Sequence, residues 1–243
     1  MAGLSASQIK FIRSLGQKKF REESGLFLAE GEKIVAEAMA SDFKVVEVYR
    51  TEEIGAGCME RISRLSSPSP VLAVIEQKKQ NPDSYISSLV KSDPAPLCLA
   101  LDGVRDPGNL GTILRLADWF GIDAVFASED TVELYNPKVV QATMGAIFRK
   151  NVIYTHLPGI IQKFSGAGLP VYGTFLDGDN LYHQKPIPKG LIVMGSESTG
   201  ISNEVATLIS HKLLIPPYPA EARTSESLNV AIATAIICAE FRR

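Results

Sequence analysis

Beyond residue 96 the apolar positions fall in short unbroken runs, at 97–101, 122–127, 151–154, 170–176, 191–194 and 213–215. Helical spacings fill most of the gaps, as at 110–120, 137–148, 202–210 and 226–241. Continuous apolar strands alternating with helices predict a parallel sheet covered on both faces. Asn136-Pro137 is a capping residue followed by proline at the first helical position. The earlier part of the chain has a different rhythm. Ser7 to Phe20 is helix-prone, Gly25–Ala29 is a short strand, and Glu32–Ala40 is an amphipathic helix. Two further strands are expected at Val45–Tyr49 and Val71–Ile75, with residues 63–70 as a loop. The seam falls at Lys91-Ser92-Asp93-Pro94-Ala95-Pro96, where two prolines block a helix. The expected organisation is therefore a small α+β unit over residues 1–92 and an α/β unit over residues 97–243. No internal repeat is present.

Composition narrows the class. The chain has 243 residues, 45% apolar and 21% charged, which excludes disordered, collagen-like and low-complexity proteins. No apolar run approaches the roughly 20 residues of a membrane span. The N-terminus lacks the apolar stretch of a signal peptide. Cys58, Cys98 and Cys238 are odd in number and far apart, so a reducing cytoplasm is expected, with neither a disulfide framework nor a zinc pattern. His156, His183 and His211 are scattered, and no metal is expected. The net charge of −2 announces no polyanion partner. Its distribution is more telling, because residues 1–21 carry Lys10, Arg13, Lys18, Lys19 and Arg21 and no acidic side chain. Such a patch can bind phosphate on a near-neutral protein, or it can be a solvated helix face.

Three loops carry the candidate chemistry, each following an expected strand. In an open α/β sheet, ligands sit outside the carboxyl ends of the strands. The first loop runs from Asp102 to Gly111 and leads into a helix with an apolar stripe at Leu110, Ile113, Leu114, Ala117 and Phe120. At about 100° per residue, Arg115 lies nearly opposite that stripe, with Trp119 one turn later. Arg115 therefore faces a phosphate, a carboxylate or another subunit. The second loop, Gly195-Ser196-Glu197-Ser198-Thr199-Gly200, holds Glu197 at the mouth of the sheet, with Arg115 as its expected partner. The third runs from Ile215-Pro216-Pro217-Tyr218-Pro219 through Thr224-Ser225-Glu226-Ser227-Leu228-Asn229 into a helix apolar on nearly every side. Such a helix must be buried all round, between layers or in a dimer interface. The G-x-G-x-x-G and G-x-x-x-x-G-K-[ST] fingerprints are absent, which ranks a nicotinamide oxidoreductase far down.

In this order the stretches DPGNLGTILRLADWFG, LIVMGSESTGIS and IPPYPAEARTSESLNVAIATAI resemble the three motifs of the SpoU (TrmH-like) RNA ribose methyltransferases of the SPOUT class. The resemblance covers residues 97–243. The N-terminal stretch LFLAEGEKIVAEAM resembles the small L30e-like substrate-binding domain often attached to them. The resemblance implies a C-terminal domain tied as a deep trefoil knot and a homodimer formed through it. It implies S-adenosylmethionine as cofactor, held by Thr174, Gly195, Ile215, Ser227 and Leu228. It implies Arg115, Asn109, Glu197 and Asn229 as the catalytic set, with Arg115 also touching RNA. A guanidinium with a pKa above about 12 is a poor base, so an electrostatic role is expected of it. The implied substrate is a ribose 2′-hydroxyl in ribosomal RNA. The alternatives are transfer RNA, or a non-catalytic RNA-binding module of the same fold. Ser198 departs from the pattern, standing where glycine is usual, and fits only if the backbone there is not left-handed.

Overall fold

A computed structural model describes residues 3–78, 82–219 and 227–243. The elements follow the order α1 (Ala6–Ser14), α2 (Lys18–Ser24), β1 (Leu26–Glu30), α3 (Glu32–Met39), β2 (Val45–Arg50), α4 (Thr51–Ile54), α5 (Ala56–Ile62), β3 (Val71–Glu76) and α6 (Pro82–Leu89). They continue with β4 (Leu97–Asp102), α7 (Pro107–Trp119), β5 (Val125–Ala127), α8 (Pro137–Thr143), β6 (Val152–Tyr154), α9 (Leu157–Gly166), β7 (Val171–Asn180), β8 (Gly190–Gly195), α10 (Asn203–Ala206), β9 (His211–Leu214) and α11 (Val230–Phe241). Two compact units result. One is Met1–Lys79 with Glu133–Arg149, the other Gln80–Val132 with Lys150–Arg243.

The first unit is built on an antiparallel sheet of order β1-β3-β2. Val71 to Ile75 of the central β3 are all buried, because side chains cover both faces. On one face Leu28, Leu72 and Val74 pack with Ile9, Ile12 and Leu15 near α1 and with Met59 and Ile62 of α5. Across β1, Phe27 meets Tyr135 at 4.5 Å and Phe148 at 6.5 Å between ring centroids. These aromatic contacts explain why residues 133–149 fold with the first sheet. The expected helix 137–148 is interrupted, since Met144 and Gly145 both have positive φ and a 3-10 turn follows at Ala146–Phe148. The expected helix from Ser7 to Phe20 is likewise two helices, the first opened by a Ser5–Gln8 capping box. Helices α4 and α5 sit in a stretch with no strong periodic signal and meet at Gly55, whose φ is 81°.

The second unit is a six-stranded sheet of order β6-β5-β4-β8-β7-β9, every neighbouring pair parallel. Cys98 and Ala100 of β4 and Leu191 and Val193 of β8 face one core, where they join Phe126, Ile153 and Ile161. Their alternates Leu99, Leu101, Ile192 and Met194 are equally buried. Both faces are thus covered, as the unbroken apolar runs require. Ile86 of α6 is fully buried in the same core, so the proline-rich stretch 91–96 lies inside this unit, where it bends at Asp93-Pro94 before entering β4. The strand order reverses between β4 and β8, which opens a crevice at their carboxyl ends. Leu213 of β9 pairs with both Thr174 and Asp179, so β7 bows out between them and returns at Gly178. A β-carbon at Gly178 would stand 2.6 Å from the Leu213 carbonyl carbon, and only glycine fits there.

Candidate active site at the switch of strand order

The crevice is furnished by the ends of β4 and β8 and the starts of α7 and α11. Helix α7 begins earlier than its apolar stripe suggests. Asp106 caps it, accepting the Asn109 N–H at 2.8 Å, and Pro107 takes the first position. Asn109 therefore lies in the first helical turn, on a rigid element. Asp102, at the end of β4, accepts the Ser202 N–H at 2.7 Å and ties the loop after β8 to that strand. That loop closes on itself through two Ser196–Gly200 backbone bonds of 3.0 Å. A β-carbon at Gly195 would stand 2.1 Å from the Gly200 carbonyl carbon, so a side chain there is excluded. Positive φ falls on Gly200 and not on Ser198, so the serine departure costs no backbone strain.

The third loop ends in a cap. Asn229 Oδ1 accepts the N–H groups of Ala231 at 3.0 Å and Ile232 at 3.2 Å. With that oxygen committed, Asn229 Nδ2 donates to Asn109 Oδ1 at 3.0 Å. Asn109 Nδ2 in turn donates to Glu197 Oε1. The run of donors is directional, from the amides of α11 through two carboxamides to one carboxylate. Each amide orientation is forced by the one before it. The carboxylate end is a charge-assisted acceptor. Three segments distant in sequence are locked together by three side chains. The far end is fastened too, because Arg242 donates to the carbonyls of Phe120 at 2.8 Å and Gly121 at 2.6 Å. Helices α7 and α11 thus lie side by side and parallel.

Beside this junction is a cavity of about 500 Å3 lined by Thr174, Gly195, Ile215, Ser227 and Leu228 and by the turn 196–200. The volume is within the range of small-molecule and cofactor sites. Its walls join apolar side chains such as Leu176 and Leu213 to the hydroxyls of Thr199 and Ser227. Such a lining suits a ligand with a flat apolar ring and polar extensions.

Two expectations are corrected. Glu197 pairs with Asn109 and not with Arg115, because the turn 196–200 brings it to the start of α7 while Arg115 stands six residues further along. Arg115 is exposed, does not line the cavity, and forms no hydrogen bond or ion pair among the described residues. Helix α11 is also not buried all round within one chain, as the alternative of packing between layers requires, which leaves the alternative of a dimer interface. Ile232 is 54% exposed, as is Trp119 of α7 at 84%. Ser225 lies outside the described residues, and the cap of α11 is Asn229 itself.

The N-terminal basic residues separate in the structure. Lys10, Arg13, Lys18 and Lys19 are exposed. Arg21 is not available to RNA, being 2% exposed. Its guanidinium grips Glu133 with two donors, one at 2.9 Å, and donates a third bond to the Leu15 carbonyl at 2.9 Å.

Sequence reasoning passed over the anchor of the 103–106 turn. Ser128 accepts the Gly103 N–H at 2.9 Å and donates to Asp130 at 2.7 Å, and Asp130 pairs with Arg105 at 3.0 Å. The Ser128 hydroxyl, and then Arg105, hold the Asp130 carboxyl below the usual carboxylate range. Short polar residues after β5 were the available signal. Among the described residues no group of three or more His, Cys, Asp or Glu side chains is placed to hold a metal ion. No helix among them is long and apolar enough to cross a membrane.

A parallel sheet with its polar junction and cavity at the reversal of strand order defines an α/β protein built to hold a ligand at that crevice. The chain belongs to the SpoU rRNA methylase family, whose model matches residues 96–239. Residues 6–80 match the MRM3-like substrate binding domain. The 23S rRNA (guanosine(2553)-2′-O)-methyltransferase RlmP of Bacillus subtilis is 29% identical over 97% of this chain and 96% of its own. A structure of an RNA methyltransferase of the TrmH family from Porphyromonas gingivalis is 39% identical, with a TM-score of 0.86 over 99% of each chain. An AdoMet-bound rRNA methyltransferase from Sinorhizobium meliloti is 30% identical, with a TM-score of 0.84 over 100% of this chain and 96% of that one.

Proposed function

We propose that this protein transfers a methyl group from S-adenosylmethionine to a ribose 2′-hydroxyl of ribosomal RNA. The observation that carries the proposal is the Asn229–Asn109–Glu197 run of hydrogen bonds beside a cavity made by the same loops. The family and its rRNA-modifying relatives support the substrate class. The AdoMet-bound relative supports the cofactor.

Thr174, Gly195, Ile215, Ser227 and Leu228 would hold the cofactor, whose sulfonium supplies an electrophilic methyl. The chain's own task is to align a weak nucleophile and stabilise the charge it develops. Alignment can supply as much as about 7–11 kcal/mol. Glu197, held by Asn109, fixes the turn that forms one wall, and Asn109 and Asn229 hold the loops in register. Among the described residues no carboxylate pairs with Arg115, so its guanidinium can meet a ligand without first breaking an ion pair. It serves as a clamp for the RNA phosphate or the developing alkoxide. Its place on α7, next to exposed Trp119, agrees with a site completed by a second copy of the chain. Exposed Ile232 on the adjacent α11 extends that apolar surface. The proposal therefore includes a homodimer through these helices and a knotted path for the C-terminal segment. It divides the labour, with the N-terminal unit binding RNA through Lys10, Arg13, Lys18 and Lys19. The proposal sets this work in the cytoplasm, in keeping with three cysteines too few and too far apart for a disulfide framework.

The test is incubation of the purified protein with labelled S-adenosylmethionine and separate pools of ribosomal and transfer RNA, followed by mapping of ribose methyls. Label in ribosomal RNA at a 2′ position is the expected result. Label in transfer RNA alone overturns the substrate, and no cofactor binding by calorimetry reduces the protein to an RNA-binding module.

A further inference from the structure

The five basic residues of the N-terminal segment have unequal freedom. Arg21 is buried and committed to Glu133. Lys18 and Lys19 each face a glutamate one turn on, Glu22 at 3.6 Å and Glu23 at 3.9 Å. Lys10 and Arg13 remain, three residues apart on one side of α1. The fold then brings two arginine-bearing segments against the end of α1. Arg13 Nη1 donates to the Arg61 carbonyl at 3.3 Å, which joins the end of α1 to the end of α5. Three residues after Arg13, a β-carbon on Gly16 would stand 2.7 Å from Cζ of Arg64. The Arg64 guanidinium thus rests on the backbone of Gly16.

Arg64 is positioned from beneath. Glu30, 6% exposed, accepts the Ser63 hydroxyl at 2.6 Å and the Arg64 N–H at 2.8 Å. That carboxylate is spent on the loop and on no guanidinium. Arg13, Arg61 and Arg64 are all exposed, and among the described residues none of them forms an ion pair. Solvated guanidiniums with no carboxylate partner can meet a polyanion without first breaking an ion pair. Their planar forks match phosphate oxygens.

We infer that Arg13 and Arg64, flanked by Lys10 and Arg61, form the phosphate-binding face of the N-terminal unit, and that Gly16 is the seat on which Arg64 lies. The inference rests on the RNA reading above and moves its footprint from a continuous segment to two helix ends. It makes Lys18 and Lys19 minor contributors.

The test uses the full-length protein and a fluorescently labelled stem-loop transcribed from 23S rRNA, with anisotropy titrations at several salt concentrations. The double variant Arg13→Ala/Arg64→Ala is expected to bind about tenfold more weakly, with a salt slope smaller by about 1.4 to 2. Arg13→Lys/Arg64→Lys keeps the charge and is expected to keep the slope. Gly16→Ala displaces the flexible end of Arg64 and shifts binding in the same direction by less, at unchanged Tm. Lys18→Ala/Lys19→Ala is expected to lose less than the arginine pair. Wild-type affinity and slope in the arginine double variant overturn the inference. So does a larger loss from the lysine pair, or absence of RNA binding by the intact chain. Methyl transfer is read separately. An arginine effect in a chain that methylates nothing sustains this inference and refutes the catalytic reading alone.

Discussion

Arg21 and Arg115 are both helix arginines, yet the two units use them in opposite ways. In the first unit the guanidinium is buried and fully satisfied by Glu133 and the Leu15 carbonyl. It works as an internal fastener, joining α2 to the segment that carries α8. In the second unit the guanidinium stands in solvent near a polar junction that is satisfied without it. A charge buried without its partner is strongly destabilising, so Arg21 cannot be spared for a ligand. A charge left solvated can bind a ligand at little cost to the fold. Basic residues identify a binding surface only when their carboxylates are accounted for.

The comparison is sharpest at Arg115. Under the proposed reaction, Arg115→Ala is expected to lower methyl transfer by about 10²–10³-fold or more, the scale of removing one preorganised electrostatic group. Its Tm and its cofactor binding by calorimetry are expected to stay at wild-type values, because the side chain makes no bond within the described fold. Retained turnover in this variant breaks the assignment. The converse substitution, Arg21→Ala, is expected to cost about 3–5 kcal/mol in chemical denaturation by leaving Glu133 unpaired. Turnover per folded molecule is expected to be unchanged. A mild stability loss there means that the buried pair contributes less than its burial implies.

Much of this contrast could be read before the fold, and the unread part has a physical origin. The exposed placement of Arg115 and Trp119 follows from helical phase relative to the apolar stripe, and both are exposed. The six parallel strands follow from apolar runs that need cover on two faces. The three loops that meet are the three that follow strands. What escaped is long-range pairing. Arg21 looked free because its partner lies 112 residues away, on a segment whose rhythm assigned it to the other sheet. Glu197 was matched to Arg115 on charge alone, whereas the carboxamide of Asn109 reaches it. The start of α7 escaped too, because the expected helix runs from Leu110, whereas Asp106 caps it and Pro107 opens it. Helix α11 looked buried on composition, but Ile232 stays uncovered in a single chain.

Asn229 tests whether the polar junction is a site or only a cap. Asn229→Asp keeps an oxygen for the amides of Ala231 and Ile232 and removes the donor that Asn109 accepts. Stability is expected to change by well under the roughly 1 kcal/mol of a lost cap. Methyl transfer is expected to fall about tenfold or more, through a new carboxylate set near Glu197 and a broken donor run. Asn229→Ala loses cap and donor together, and its Tm is expected to drop. Equal activity losses in the two variants, with a Tm drop only in alanine, assign the effect to the lost donor. Full activity in the aspartate variant leaves Asn229 a cap and nothing more.

The smallest effect belongs to the Ser128–Asp130–Arg105 anchor, which is structural but exposed, and so falls between the two arginines. The folded state holds the Asp130 carboxyl below its ordinary 3.8, through the Ser128 hydroxyl first and Arg105 second. A depressed carboxyl stabilises the fold fully above its unfolded pKa. That stabilisation is lost as pH falls from there through the lower folded value. The group is largely solvated, so screening keeps the contribution small. Asp130→Asn is therefore expected to match wild-type stability at the acid end and to fall slightly behind it once pH rises above about 4. Denaturation midpoints measured from pH 3 to pH 7 on both proteins read the difference directly. Parallel curves across that range mean that Asp130 does not report on folding, and the 103–106 turn is then held by the Gly103–Ser128 bond and by the Val132 N–H, which donates to the Val104 carbonyl at 2.9 Å.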